Sequence, residues 1–129
     1  MKRSLIEIYA LAVCFVTVSC LAVAMGIALY DLVQIAYPEI TLYSHQYERH
    51  QSNASFRASY QNDAKDLAAL SEDQVTKRRE ESYRSVLNGE RRDGWQSLLR
   101  MAIVMLIDVL FFVVHWRLAK RSRESSPGT

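Results

Sequence analysis

Leu98 to Trp116 reads LLRMAIVMLIDVLFFVVHW. This run holds no proline or glycine and carries one acid, Asp108, near its middle. Its length and composition predict a membrane-spanning helix, in which the backbone satisfies its own polar groups. A carboxylate halfway along such a span costs roughly 2.5–3.5 kcal/mol on the insertion scale. Something must offset that cost: a partner, a water-filled path or a proton.

A second apolar block, Leu5 to Tyr30, lies near the other end, with an amphipathic extension to Tyr37 that Pro38 stops. Lys2 and Arg3 before it suit a signal peptide, but the block is longer than a signal core and contains Glu7. It is therefore read as an uncleaved first span. Ala12, Ser19, Ala22 and Gly26 share one stripe of it, and small residues in such a stripe let a second helix approach closely. Cys14 and Cys20 both fall inside this block, on different faces and beyond disulfide reach.

Between the two blocks the composition turns polar. Asp31–Asp93 holds nine Lys/Arg and eleven Asp/Glu within a chain of 129 residues and formal net charge +2. A slightly acidic segment of this size is no footprint for nucleic acid and too small to core a separate enzyme. Residues 38–52 have no clear period and read as an irregular interfacial segment. His45, Glu48 and His50 within it are badly spaced for chelation, so solvated histidines are expected, with no metal or cofactor.

Residues 53–93 predict a helical hairpin that turns near 70–71. Asn53 is a cap candidate, and Phe56, Tyr60, Ala64, Leu67 and Leu70 form the stripe of the first arm. Ser71 and Gln74 make a capping box for the second arm, whose charges pair at i,i+4. Asn88-Gly89 and Gly94 are weak points where that arm is expected to bend before the span at 95–117, although with no proline between them one helix from Glu72 to Leu118 is nearly as compatible.

Charge sets the orientation. Lys2, Arg3, Arg117, Lys120, Arg121 and Arg123 stand against one acid, Glu124, in the tails. The positive-inside rule then places residues 1–4 and the basic tail 118–129 in the cytoplasm, with the middle outside. With Arg3 and Arg117 taken as level, Glu7 and His115 lie near the inner surface and Arg100 near the outer. Glu7 is then within reach of His115 or Arg117, while Arg100 snorkels. Asp108 lies about 13 Å deep, with no cation opposite.

These readings give an all-α integral membrane protein: two antiparallel transmembrane helices joined by a charged extramembrane helical hairpin. No nucleophile–base pair or glycine-rich phosphate loop appears, so no enzyme is predicted. The expected role is an accessory subunit or assembly factor of a bacterial inner-membrane complex. Its expected partners are the lipid bilayer and other membrane protein chains, with Asp108, Glu7, His115 and Arg100 as partner or assembly residues. The alternative is a homo-oligomeric channel or ion-conducting protein with Asp108 facing its path.

Overall fold

The structure, a computed structural model, describes residues 5–60 and 69–124. All regular structure among them is α-helical. Helix α1 is Leu5–Ala36, α2 Pro38–Thr41, α3 Ser44–Arg49, α4 Asn53–Ser59 and α5 Glu72–Glu124. Helices α1 and α5 are each long and apolar enough to cross a membrane. Backbone contacts divide the chain into two units, Met1–Tyr30 with Ser97–Thr129, and Asp31–Gln96.

In the first unit α1 and α5 run antiparallel along a seam whose steps alternate three and four. On α1 the buried positions are Glu7, Ala10, Cys14, Thr17, Ala24 and Ala28, with half-buried Leu21 continuing their stripe and half-buried Leu11 and Val13 flanking it. On α5 they are Leu98, Met101, Met105, Asp108, Phe112, His115, Ala119 and Ser122. This 3–4 spacing keeps one stripe of each helix turned toward the other, as in a left-handed helix pair. Small residues dominate the α1 side and large ones the α5 side, so the two surfaces interlock. Every other residue from Leu99 to Leu118 is exposed.

The second unit is built on α1's last turns and the polar part of α5. Pro38 ends α1 at Ala36 and opens α2 from its first position, where a missing N–H costs nothing. The segment read as irregular therefore holds two short helices, α2 and α3; each spans too few residues to print a period on the sequence. Helix α4 is capped by Ser52, whose hydroxyl accepts from Ser55 N–H at 3.1 Å. Asn53 sits one position too late to cap. Its amide instead reaches α5, donating to Glu72 Oε2 at 2.8 Å and Thr76 Oγ1 at 2.9 Å.

Phe56 and Val75 form the buried centre of this unit, with Tyr60 and Leu70 packed against them. Arg57 bridges to Glu72 at 3.0 Å and donates to the Leu70 carbonyl at 3.2 Å. Ala64 and Leu67 lie outside the described residues. The capping box is present: Gln74 Oε1 accepts from Ser71 N–H at 3.0 Å, and Ser71 Oγ from Gln74 N–H at 3.4 Å.

From there α5 runs unbroken for 53 residues, so the second arm of the hairpin and the second apolar stretch are one element. Neither Gly89 nor Gly94 interrupts it. Gly94 is a crossing point instead. A Cβ there would meet Ile35 Cγ1 at 3.0 Å and the Asp31 carbonyl at 3.3 Å, so any larger residue must push these neighbours aside.

Candidate functional site: the polar residues of the helix seam

The seam of the first unit gathers Glu7, Thr17, Asp108 and His115 from its two apolar helices. At one end Arg123 Nε donates to Glu7 Oε1 at 2.8 Å, with the glutamate almost fully buried. This pairing replaces the expected Glu7–His115 or Glu7–Arg117 contact. Tyr9 meets His115 edge-on at 5.9 Å, and Cys14 Sγ lies 4.0 Å from the Phe112 carbonyl. Helix α5 is thus shifted by more than a turn from the alignment of Arg3 with Arg117. Helix α5 stays helical to Glu124, past the first basic residue of the tail, which brings Arg123 within reach of Glu7. His115 Nδ1 turns back onto its own helix, 2.8 Å from the Phe111 carbonyl.

In the next layer the register brings Asp108 level with Thr17. The Thr17 hydroxyl is committed to the Cys14 carbonyl at 2.9 Å. Asp108 Oδ2 is buried and has no hydrogen-bond partner. The carboxylate therefore faces the chain's own first helix, as part of the seam. Beyond it Leu21, Ala24, Ala28, Met105, Met101 and Leu98 make the rest of the seam apolar.

Arg100 is exposed and stands outside this set. So do Ala12, Ser19, Ala22 and Gly26, all exposed on α1. Ser19 bonds back to the Phe15 carbonyl at 2.9 Å, and a Cβ on Gly26 would meet nothing within 4 Å. The stripe that packs within the chain is the neighbouring one, Ala10 to Ala28.

The second unit contains a residue that sequence reasoning passed over. Asp31 is 2 % exposed, and its Oδ2 likewise has no partner. Its position was visible in the pattern, seven after Ala24 and three after Ala28, on the buried stripe. Beside it Gln34 Nε2 donates to Glu90 Oε1 at 2.9 Å, tying α1 to α5.

His50 is a second correction, since it is buried at 8 % exposure and is not solvated. Its ring lies 2.7 Å from the Gln46 carbonyl through Nδ1 and 3.0 Å from Ser82 Oγ through Nε2. Nδ1 thus holds the ring to α3, and Nε2 joins it to α5. An open recess of about 430 Å³ is lined by Tyr47, His50, Gln51 and Tyr83. Burial raises the Tyr83 pKa above its usual value, and the charges of Glu39 and Tyr47 add to the shift. Among the described residues no three His, Cys, Asp or Glu side chains converge as metal ligands would. No protein-family model matches the chain, and no match is found among curated proteins or solved structures.

Proposed function

We propose that this chain is a two-span membrane protein that works, without catalysis, as an accessory subunit or assembly factor of a bacterial inner-membrane complex. The observation that carries the membrane reading is the apolar surface of α5. Thirteen large apolar side chains between Trp95 and Leu118 are exposed. Each is about half exposed, so left in water they forgo burial worth roughly 10–20 kcal/mol, as much as the net stability of a whole domain. Lipid removes that conflict.

The aromatic residues support the same reading. Tyr9 and Tyr30 are 21 positions apart on α1, as are Trp95 and Trp116 on α5, and all four are exposed. At 1.5 Å per residue that separation is about 31 Å, the thickness of a hydrocarbon core. Tyrosine and tryptophan favour its two boundaries. The basic tail beyond Trp116 supports a cytoplasmic position for both ends of the chain by the positive-inside rule.

The partner-facing surface is the outer side of α1, where Ala12, Ser19, Ala22 and Gly26 leave room for a helix of another chain. The channel alternative has less support. Asp108 turns toward its own α1, and six apolar residues make up the seam on one side of it. A proton or ion would find no relay there.

Purification from native membranes in mild detergent, followed by mass spectrometry of the co-purifying chains, tests this reading. Companion membrane proteins are expected, and Gly26→Leu should remove them by filling the small-residue stripe. A preparation containing this chain alone overturns the accessory role. Companions retained at wild-type level by Gly26→Leu overturn the outer face of α1 as their docking site.

A further inference from the structure

Arg91 and Arg92 stand at the point where α5 passes from its polar to its apolar part. Both are exposed, and neither makes an ion pair or hydrogen bond among the described residues. Helical neighbours three and four residues away are the ones a side chain can reach. For Arg91 these are Leu87, Asn88, Gly94 and Trp95; for Arg92 they are Asn88, Gly89, Trp95 and Gln96. None is acidic. The acids next to them in sequence are Glu90, held by Gln34 at 2.9 Å, and Asp93, which is exposed, lies about 100° round the helix from Arg92 and pairs with neither arginine.

Trp95 completes the arrangement. It lies four residues after Arg91 and three after Arg92, so it projects one turn on, in the angular gap between them. Trp95 is 61 % exposed. Arg92 points away from the crossing at Gly94, being two residues, or about 200°, round the helix from it. Side chains on a helix lean toward its N-terminus, so both guanidinium groups reach away from the apolar part of α5.

We infer that Arg91, Arg92 and Trp95 form a binding site for the headgroup of an anionic phospholipid. Distance decides this. With Trp95 at the hydrocarbon boundary, the arginines lie about 4.5–6 Å beyond it along the helix. The headgroup layer is about 5–7 Å thick on each side, the difference between a 40–45 Å bilayer and its 30 Å core. The guanidinium pair thus falls at the level of the lipid phosphates, which it matches by bidentate hydrogen bonding. The tryptophan lies over the upper acyl chain. Arg84, on the same helix, is about 16 Å beyond Trp95 and outside that layer.

The inference rests on α5 spanning the bilayer, and the two are tested separately. Resistance of the full chain to alkaline extraction from membranes reports on the span. Lipid selectivity reports on the site: the protein is reconstituted in mixed phosphatidylglycerol and phosphatidylcholine, washed in mild detergent, and its retained lipid counted by native mass spectrometry. Enrichment of phosphatidylglycerol is expected. The double variant Arg91→Gln/Arg92→Gln should reduce it roughly 30-fold, the effect of two cationic side chains beside an anionic surface. Arg84→Gln should leave it unchanged, and millimolar inorganic phosphate should not compete. Four outcomes overturn the inference: no enrichment in the natural chain, enrichment that survives the double variant, equal loss in Arg84→Gln, or displacement by free phosphate.

Discussion

Asp108 and Asp31 occupy equivalent places, on the packed stripes of α5 and α1, and each holds a buried Oδ2 without a donor. An unsatisfied buried polar atom costs about 1–3 kcal/mol, whereas an apolar residue of similar shape carries no such cost. Asp108 therefore weakens the pairing of the apolar helices, and Glu7–Arg123 at the seam's end offsets part of that loss. Asp108→Leu should stabilise the isolated chain by about 1–3 kcal/mol, read from its unfolding midpoint in detergent. Asp108→Ala should gain less, because it leaves a void against α1. A fall in stability with leucine would show that the carboxylate makes a bond inside the chain, contrary to its bare Oδ2. Loss of co-purifying chains without a fall would assign Asp108 to a partner instead.

The three glycines of the helices separate propensity from packing. Gly26 and Gly89 have open space where a Cβ would go, but Gly94 does not. Alanine gains about 1 kcal/mol over glycine in a helix interior. Gly89→Ala should therefore raise the unfolding midpoint by about that amount. Gly94→Ala should lose the gain or reverse it, since its Cβ would press on the Asp31 carbonyl, and Gly94→Leu should part α1 from α5. Equal stabilisation by alanine at both sites would refute the close crossing. Much of this was legible in the residues: the two apolar helices, the stop at Pro38 and the capping box at Ser71 are local chemistry. The packed stripe was only half legible. The 3–4 spacing from Glu7 to Ala28 is in the sequence, yet counting small residues favoured the adjacent stripe through Gly26. Composition alone does not say which face meets the chain's own second helix. Glu7's partner was missed because the helix was expected to end near Arg117, and His50 because its partner on α5, Ser82, lies 32 residues away.

At the scale of the molecule the charges compete over orientation. Arg117, Lys120, Arg121 and Arg123 follow Trp116, while Arg91 and Arg92 precede Trp95 and Arg100 follows it. Positive residues near a span favour the cytoplasm, so the two ends of α5 pull in opposite senses. The tail prevails in number, and Lys2 and Arg3 before α1 add to its side. The arginines at the other end have a different occupation if they hold lipid phosphate. Cysteine labelling settles the direction, with Cys14 and Cys20 first replaced by alanine so that only introduced thiols react. Ser85 lies about 15 Å beyond Trp95, and Lys120 about 6 Å beyond Trp116. A membrane-impermeant maleimide applied to intact spheroplasts should label Ser85→Cys and spare Lys120→Cys until the membrane is opened. The opposite pattern would put the tails outside and make Arg91 and Arg92 the orienting charges. Labelling of both sites in sealed cells would mean that α5 does not cross the membrane, and the lipid site and the accessory role would fall with it.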